Sequence, residues 1–238
     1  MQFHKSSERL AAEIAGFTSA GLASGEAVVI VASERHGKCI LKALADLGVD
    51  SGRCQASGQL KLWNAEATLA TIMGPTGPDR ERFHAAFGDM IVEIKAAGYE
   101  HIRVYGEMAP MLWQRGNFTG ALRLEGYANE LVNLYGLPIF CGYMLDGFRE
   151  DSYAGPLSDL GRIHTDIVPT SEDERLREAI DAATRKLLGT QVSKIVSLSE
   201  GPVGEARLPV GRRAILWLKR VMPLKVGEIL ELARRHAA

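Results

Sequence analysis

The chain has 238 residues, 46% of them hydrophobic and 24% charged, with a formal net charge of −1. These values suit one large globular domain, or one domain with a smaller module, and exclude a wholly disordered chain and a strongly basic nucleic-acid binder. No run approaches the roughly 18 apolar residues of a membrane span, and Glu8, Arg9 and Glu13 interrupt the place where a signal peptide would be apolar. A cytoplasmic location is expected.

The chain alternates between helical and strand periods. Leu10, Ile14, Phe17 and Leu22 predict a helix over 7–22. EAVVIVA, 26–32, is a continuous apolar run, the pattern of a parallel strand buried on both faces. Ile40, Leu41, Leu44 and Leu47 predict a helix over 39–47, and QLKLWNA, 59–65, a second strand. A long helix follows over 79–97, with Phe83, Phe87, Met90, Ile91 and Ile94 on one face. HIRVYGE, 101–107, is a third strand, 117–135 a helix, and PIFCGYML, 138–145, a fourth strand. Strands separated by helices predict an α/β fold, a parallel sheet with helices on both faces.

The character changes after Phe148. Residues 149–171 are rich in Gly, Asp, Ser and Pro, and 172–188 predict a charged helix with Leu176, Ile180, Ala183 and Leu187 as its apolar stripe. QVSKIVSL, 191–198, and GEARL, 204–208, flank SEGPV and predict a hairpin. Helices follow over 211–221 and, after a break at Pro223, to about His236. The organisation expected is a domain over 1–170 and an extension over 171–238 made of a helix, a hairpin and two basic helices. Residues 201–238 hold eight Lys or Arg against three Glu, so the tail is basic and the body acidic.

ASERHGKC, 32–39, follows a strand and opens a helix, the place of a phosphate-binding loop. Gly37 and Lys38 fit that loop. Ala32 replaces its first glycine, and Cys39 replaces the hydroxyl that would hold magnesium, a task for which a thiol is poor. The loop is therefore degenerate, and hydrolysis of ATP is not expected. In RVYGEM, 103–108, Glu107 projects at the C-terminal edge of the sheet, where ligands bind in open α/β sheets; a structural carboxylate held by backbone amides or an arginine is the plainer alternative. The six histidines are scattered, and Cys39, Cys54 and Cys141 form no C-x-x-C, so free thiols and no metal are expected. Neither G-x-S-x-G nor G-x-G-x-x-G occurs, so no catalytic residue and no dinucleotide cofactor is assigned. Aromatic and polar side chains concentrate over 105–143, which suits an apolar pocket with a few polar groups, or an ordinary core.

The strings GQLKLWNAEATLATIM (58–73), PDRERF (78–83), YGEMAPMLWQRGN (105–117), ALRLEGYANEL (121–131) and FCGYMLDGF (140–148) together resemble a MEDS domain, the sensory domain named after methanogens, methylotrophs and the repressor DcmR. GLASGEAVVIVASERH upstream and IHTDIVP, 163–169, extend the resemblance to residues 15–170. It implies a RecA-like or KaiC-like three-layer core without a working phosphate loop, and a role in detecting small molecules. By position it implies Glu107, Met108, Trp113, Asn117, Glu125, Asn129, Cys141 and Tyr143 as ligand-binding candidates, with Glu107 and Asn129 polar contacts and Trp113 and Tyr143 apolar walls. MQFHKSSERL departs from the family's opening strand, so the first strand is expected to be shortened or missing.

The expected function is a non-enzymatic sensor. It binds a small apolar ligand and relays the event through 171–238 to a protein partner or a second copy. A RecA-like nucleotide-binding protein is the first alternative. A transcriptional regulator that binds nucleic acid through the basic tail, in the manner of a helix–turn–helix fragment, is the second. No membrane partner is expected.

Overall fold

The computed structural model describes residues 1–198 and 207–237. It divides into two compact units: Ser6–Gly142, and Met1–Lys5 with Tyr143–Ala238. The division falls inside a strand, whereas composition places a boundary at 170.

The Ser6–Gly142 unit begins with α1 (Ser7–Ala23), capped by the Ser6 side chain, which accepts from Arg9 N. Strand β2 (Ala27–Ala32) is buried at all six positions, as its unbroken apolar run requires. Helix α2 (Glu34–Asp46) follows at once, with Ser33 as its cap. The short α3 (Ser51–Ala56), β3 (Leu60–Asn64) and α4 (Ala65–Ile72) lead to a small antiparallel ribbon, β4 (Met73–Gly74) with β5 (Gly77–Pro78). Next come α5 (Arg80–Ala96), β6 (Ile102–Gly106), α6 (Met108–Gln114), α7 (Phe118–Tyr135) and β7 (Ile139–Met144). Helix α7 ends at Gly136, whose φ of 65° is left-handed and suits glycine.

The main sheet has the order β1-β7-β6-β2-β3, where β1 (Gln2–His4) opens the chain. The β2–β3, β2–β6 and β6–β7 pairs are parallel. The strand expected to be shortened or missing is present as three residues, fixed where Leu145 N donates to His4 O at 3.0 Å. Helices flank the sheet, so the expected three-layer α/β architecture is observed.

In the other unit, a short 3-10 turn (Glu150–Tyr153) and α8 (Leu157–Ile163) precede four helices: α9 (Ser171–Leu188), α10 (Thr190–Leu198), α11 (Val210–Val221) and α12 (Val226–Ala237). Thr170 and Asp173 form a reciprocal capping box on α9. The expected strand over 191–198 is corrected to helix α10. Its buried residues are Ser193 and Val196, three apart, a helical and not a strand period. Ser193 Oγ donates to Asp181 of α9, and Ile195 and Leu198 are exposed. Of the second arm of that hairpin, residues 204–206 lie outside the described residues, and 207–208 are not strand. The two tail helices are present, separated by a 3-10 turn at Pro223–Lys225. Among the described residues no helix is long and apolar enough to cross a membrane.

Candidate functional site

The parallel register places Val31, Gly106 and Cys141 side by side at the C-terminal ends of β2, β6 and β7. All three line a cavity of about 40 Å³ within the Ser6–Gly142 unit. Strand alternation adds Val104 and Ile139, two residues back on the same face. Helix α5 supplies Phe83, Phe87, Met90 and Ile91, the face its periodicity marks. Met108 and Ala109 come from α6, and Leu124, Glu125, Ala128 and Leu131 from α7. The walls are almost wholly apolar. The polar exception is the pair Glu125 and Cys141, both buried, where the thiol donates to Glu125 Oε2 at 3.3 Å. Burial, and then the neighbouring Glu125 charge, push the Cys141 thiol well above its ordinary pKa. It is therefore a neutral donor and no thiolate nucleophile.

Gly106 contributes space. A Cβ built there meets nothing within 4 Å. The volume decides the ligand's size: room for one water is about 10–15 Å³ on this scale, so the cavity seats a molecule of a few heavy atoms without rearrangement.

The residues that alternate with the lining, Tyr105 and Glu107, serve a second cluster on the other side of β6. Glu107 Oε2 accepts from Ser33 N at 2.8 Å, and Oε1 accepts from Tyr105 OH at 3.0 Å. The same Oε1 is bonded to His36 Nδ1 of α2, and His36 Nε2 faces Ser7 O of α1 at 3.2 Å. Both imidazole nitrogens thus face oxygen acceptors, and only the imidazolium can donate to both. Burial opposes that charge, but the hydrogen bond and charge of Glu107 outweigh it and hold His36 above its ordinary value. Burial likewise opposes the Glu107 carboxylate. His36, the Ser33 amide and the Tyr105 hydroxyl overcome it and hold Glu107 below its ordinary value. Burial, with the Glu107 charge, drives Tyr105 well above its ordinary value, so its hydroxyl stays protonated.

The expected ligand residues separate. Met108, Glu125 and Cys141 meet at the cavity. Glu107 sits behind its wall in the His36 cluster. Asn117 caps α7, accepting from Gly120 N at 2.9 Å. Trp113 is buried edge-on against Phe118, with ring centroids 4.8 Å apart. Asn129 is half-buried on α7. Tyr143 belongs to the other unit and packs against Phe3 and His164. Gly37 and Lys38 lie inside α2 and not in a loop ahead of it: Gly37 N donates to Ser33 O, and exposed Lys38 pairs with Glu34 one turn away. Sequence reasoning missed His36 and Tyr105 as partners of Glu107, and Val31 and Gly106 as cavity walls. The available signal was the parallel strand ends themselves, whose alternate residues must face opposite layers.

Residues 1–164 match the family described as MEDS, MEthanogen/methylotroph, DcmR Sensory domain. No curated protein and no solved structure matches the chain. The family match covers more than half of the 238 residues, and the chain belongs to the MEDS sensory-domain family.

Proposed function

We propose that this chain is a non-enzymatic sensor of a small, mostly apolar molecule, taken into the cavity at the C-terminal ends of β2, β6 and β7. One observation carries this reading. The cavity wall Gly106–Met108–Ala109 and the buried cluster of Glu107 share a single β6–α6 junction, on alternate residues. A guest that presses on Met108 or Gly106 shifts Glu107. Glu107 is tied to Ser33 and His36 at the start of α2, and His36 to the first turn of α1. Occupancy is thereby converted into a change at two helix ends, and the ligand favours whichever arrangement it fits better. Glu125 and Cys141 give the ligand one polar contact. The segment after residue 164 lies outside the family match and forms helices of its own, which supports it as the output element toward a protein partner or a second copy.

Xenon binding followed by NMR tests the reading, because xenon enters apolar cavities of this kind. Saturable binding is expected in the native chain, with loss in Gly106→Val, whose side chain fills the space. Absence of saturable binding, or equal binding by the variant, contradicts it. Native mass spectrometry of the purified chain then reports any resident small molecule and the subunit count together.

A further inference from the structure

A second cavity, of about 140 Å³, lies within the Met1–Lys5 and Tyr143–Ala238 unit and shares no lining residue with the sensory cavity. Its walls combine Leu145–Phe148 with residues of α9, α11 and α12. Four cations line it, Lys5, Arg175, Arg212 and Arg234, against two carboxylates, Asp146 and Glu172. Both carboxylates already accept backbone amides: Glu172 from Lys5 N at 2.7 Å, and Asp146 from Phe148 N at 3.0 Å. Arg212 is itself paired with Asp173 and Arg234 with Glu231, which leaves Lys5 and Arg175 as the cations set against these two carboxylates.

Arg212 is the decisive residue. It is only 2% exposed. Its Nε donates to Asp173 Oδ1 at 2.9 Å, its Nη2 donates to Leu145 O at 2.9 Å, and its guanidinium lies 4.2 Å over the Phe3 ring. These contacts fix the plane of the group. Its Nη1 is buried and has no hydrogen-bond partner. Native proteins rarely bury a donor of a charged group unsatisfied, and such a vacancy calls for an explanation. A fixed guanidinium fork with a spare donor, beside a cavity carrying further arginines, is the arrangement that takes a carboxylate or a phosphate.

We propose that this cavity binds a small oxyanion, held by the spare Nη1 donor of Arg212 and by Arg175 and Arg234 on its solvent side. The three arginines stand on α9, α11 and α12, beyond the family match, while Lys5 and Leu145–Phe148 lie within it, so the site would give the extension an input of its own. This inference is independent of the sensory reading, since no residue is shared.

The test is titration of the full chain with inorganic phosphate and, separately, with acetate, each against chloride at matched ionic strength. Melting temperature and the Arg212 Nε–H resonance are read together. A saturable rise in melting temperature with a shift of that resonance is expected for at least one probe. Phosphate alone assigns a tetrahedral anion, and acetate a planar carboxylate. Arg175→Glu, on an exposed residue, is expected to weaken binding at least tenfold while leaving the anion-free melting temperature unchanged. Arg234→Gln is expected to weaken it less, because that side chain also pairs with Glu231 and Phe148 O. No response beyond chloride to either probe overturns the proposal, and so does a response that Arg175→Glu leaves intact.

Discussion

Among the described residues each compact unit holds a buried ion pair, and these two pairs differ in what pH can do to them. His36–Glu107 joins two groups that titrate, and both ring nitrogens of His36 depend on its staying protonated. Arg212–Asp173 joins a carboxylate to a guanidinium that keeps its charge at any ordinary pH, inside a capping box that Thr170 completes. Above neutral pH the second pair keeps both charges, whereas the first is released when His36 loses its proton. The fold thus holds its helical unit with a permanent tie and places a releasable one behind the cavity wall.

The largest expected effect breaks the permanent tie. Arg212→Met leaves Asp173 buried with an uncompensated charge, for which the usual cost is about 3–5 kcal/mol. Urea unfolding should show that loss with little dependence on pH between neutral and alkaline conditions. Restoring most of it by also replacing Asp173 with Leu would confirm that the stranded charge is the cause.

Glu107→Gln should cost less, about 1.5–3 kcal/mol at pH 6, because His36 can shed its proton when its partner is lost. The pH dependence of the native chain follows from the two shifts. His36 is raised in the folded state, so its contribution is complete below its ordinary value of 6.5 and disappears as pH climbs through the higher folded value. Glu107 is lowered, so its contribution is complete above its ordinary value of 4.5 and disappears as pH falls through the lower folded value. The gap in stability between native chain and Glu107→Gln should therefore be widest between those two ordinary values and narrow toward alkaline pH. A gap that stays constant to alkaline pH would make this pair as permanent as the other.

Ser33→Ala removes the side-chain cap of α2, where Ser33 Oγ accepts from His36 N, and should cost about 1 kcal/mol. The smallest effect is expected from Gly106→Ala. The added methyl meets open space, so stability should change by no more than about 1 kcal/mol, in the favourable direction. Xenon affinity should nevertheless fall. Separation of stability from binding at this position would sharpen the case that the space is there for a guest.

The strands of the sheet were legible because β2, β6 and β7 are nearly continuous apolar runs bounded by turns. The long helices were legible from their stripes. Helices α3, α4 and α6 were not, since six to eight residues carry too few turns for a period to show. In α10 the small Ser193 takes a buried place while Ile195 and Leu198 face solvent, so hydrophobicity misreports the buried face. At the site, Glu107 was visible at a strand end. His36 was not, because 71 residues separate the partners and only the β2–β6 register brings them together. Trp113 and Tyr143 show the converse: aromatic enrichment marks burial, and burial does not distinguish a pocket wall from a core.

The most direct test of the central claim follows the His36 imidazole resonances by NMR while xenon is admitted to the native chain and to Gly106→Val. If the cavity is read through Glu107, the His36 signals shift with xenon in the native chain, in step with binding, and stay still in the variant. Saturable xenon binding that leaves His36 unmoved would mean that cavity and ion pair are independent, and the coupling across the β6–α6 junction would be wrong.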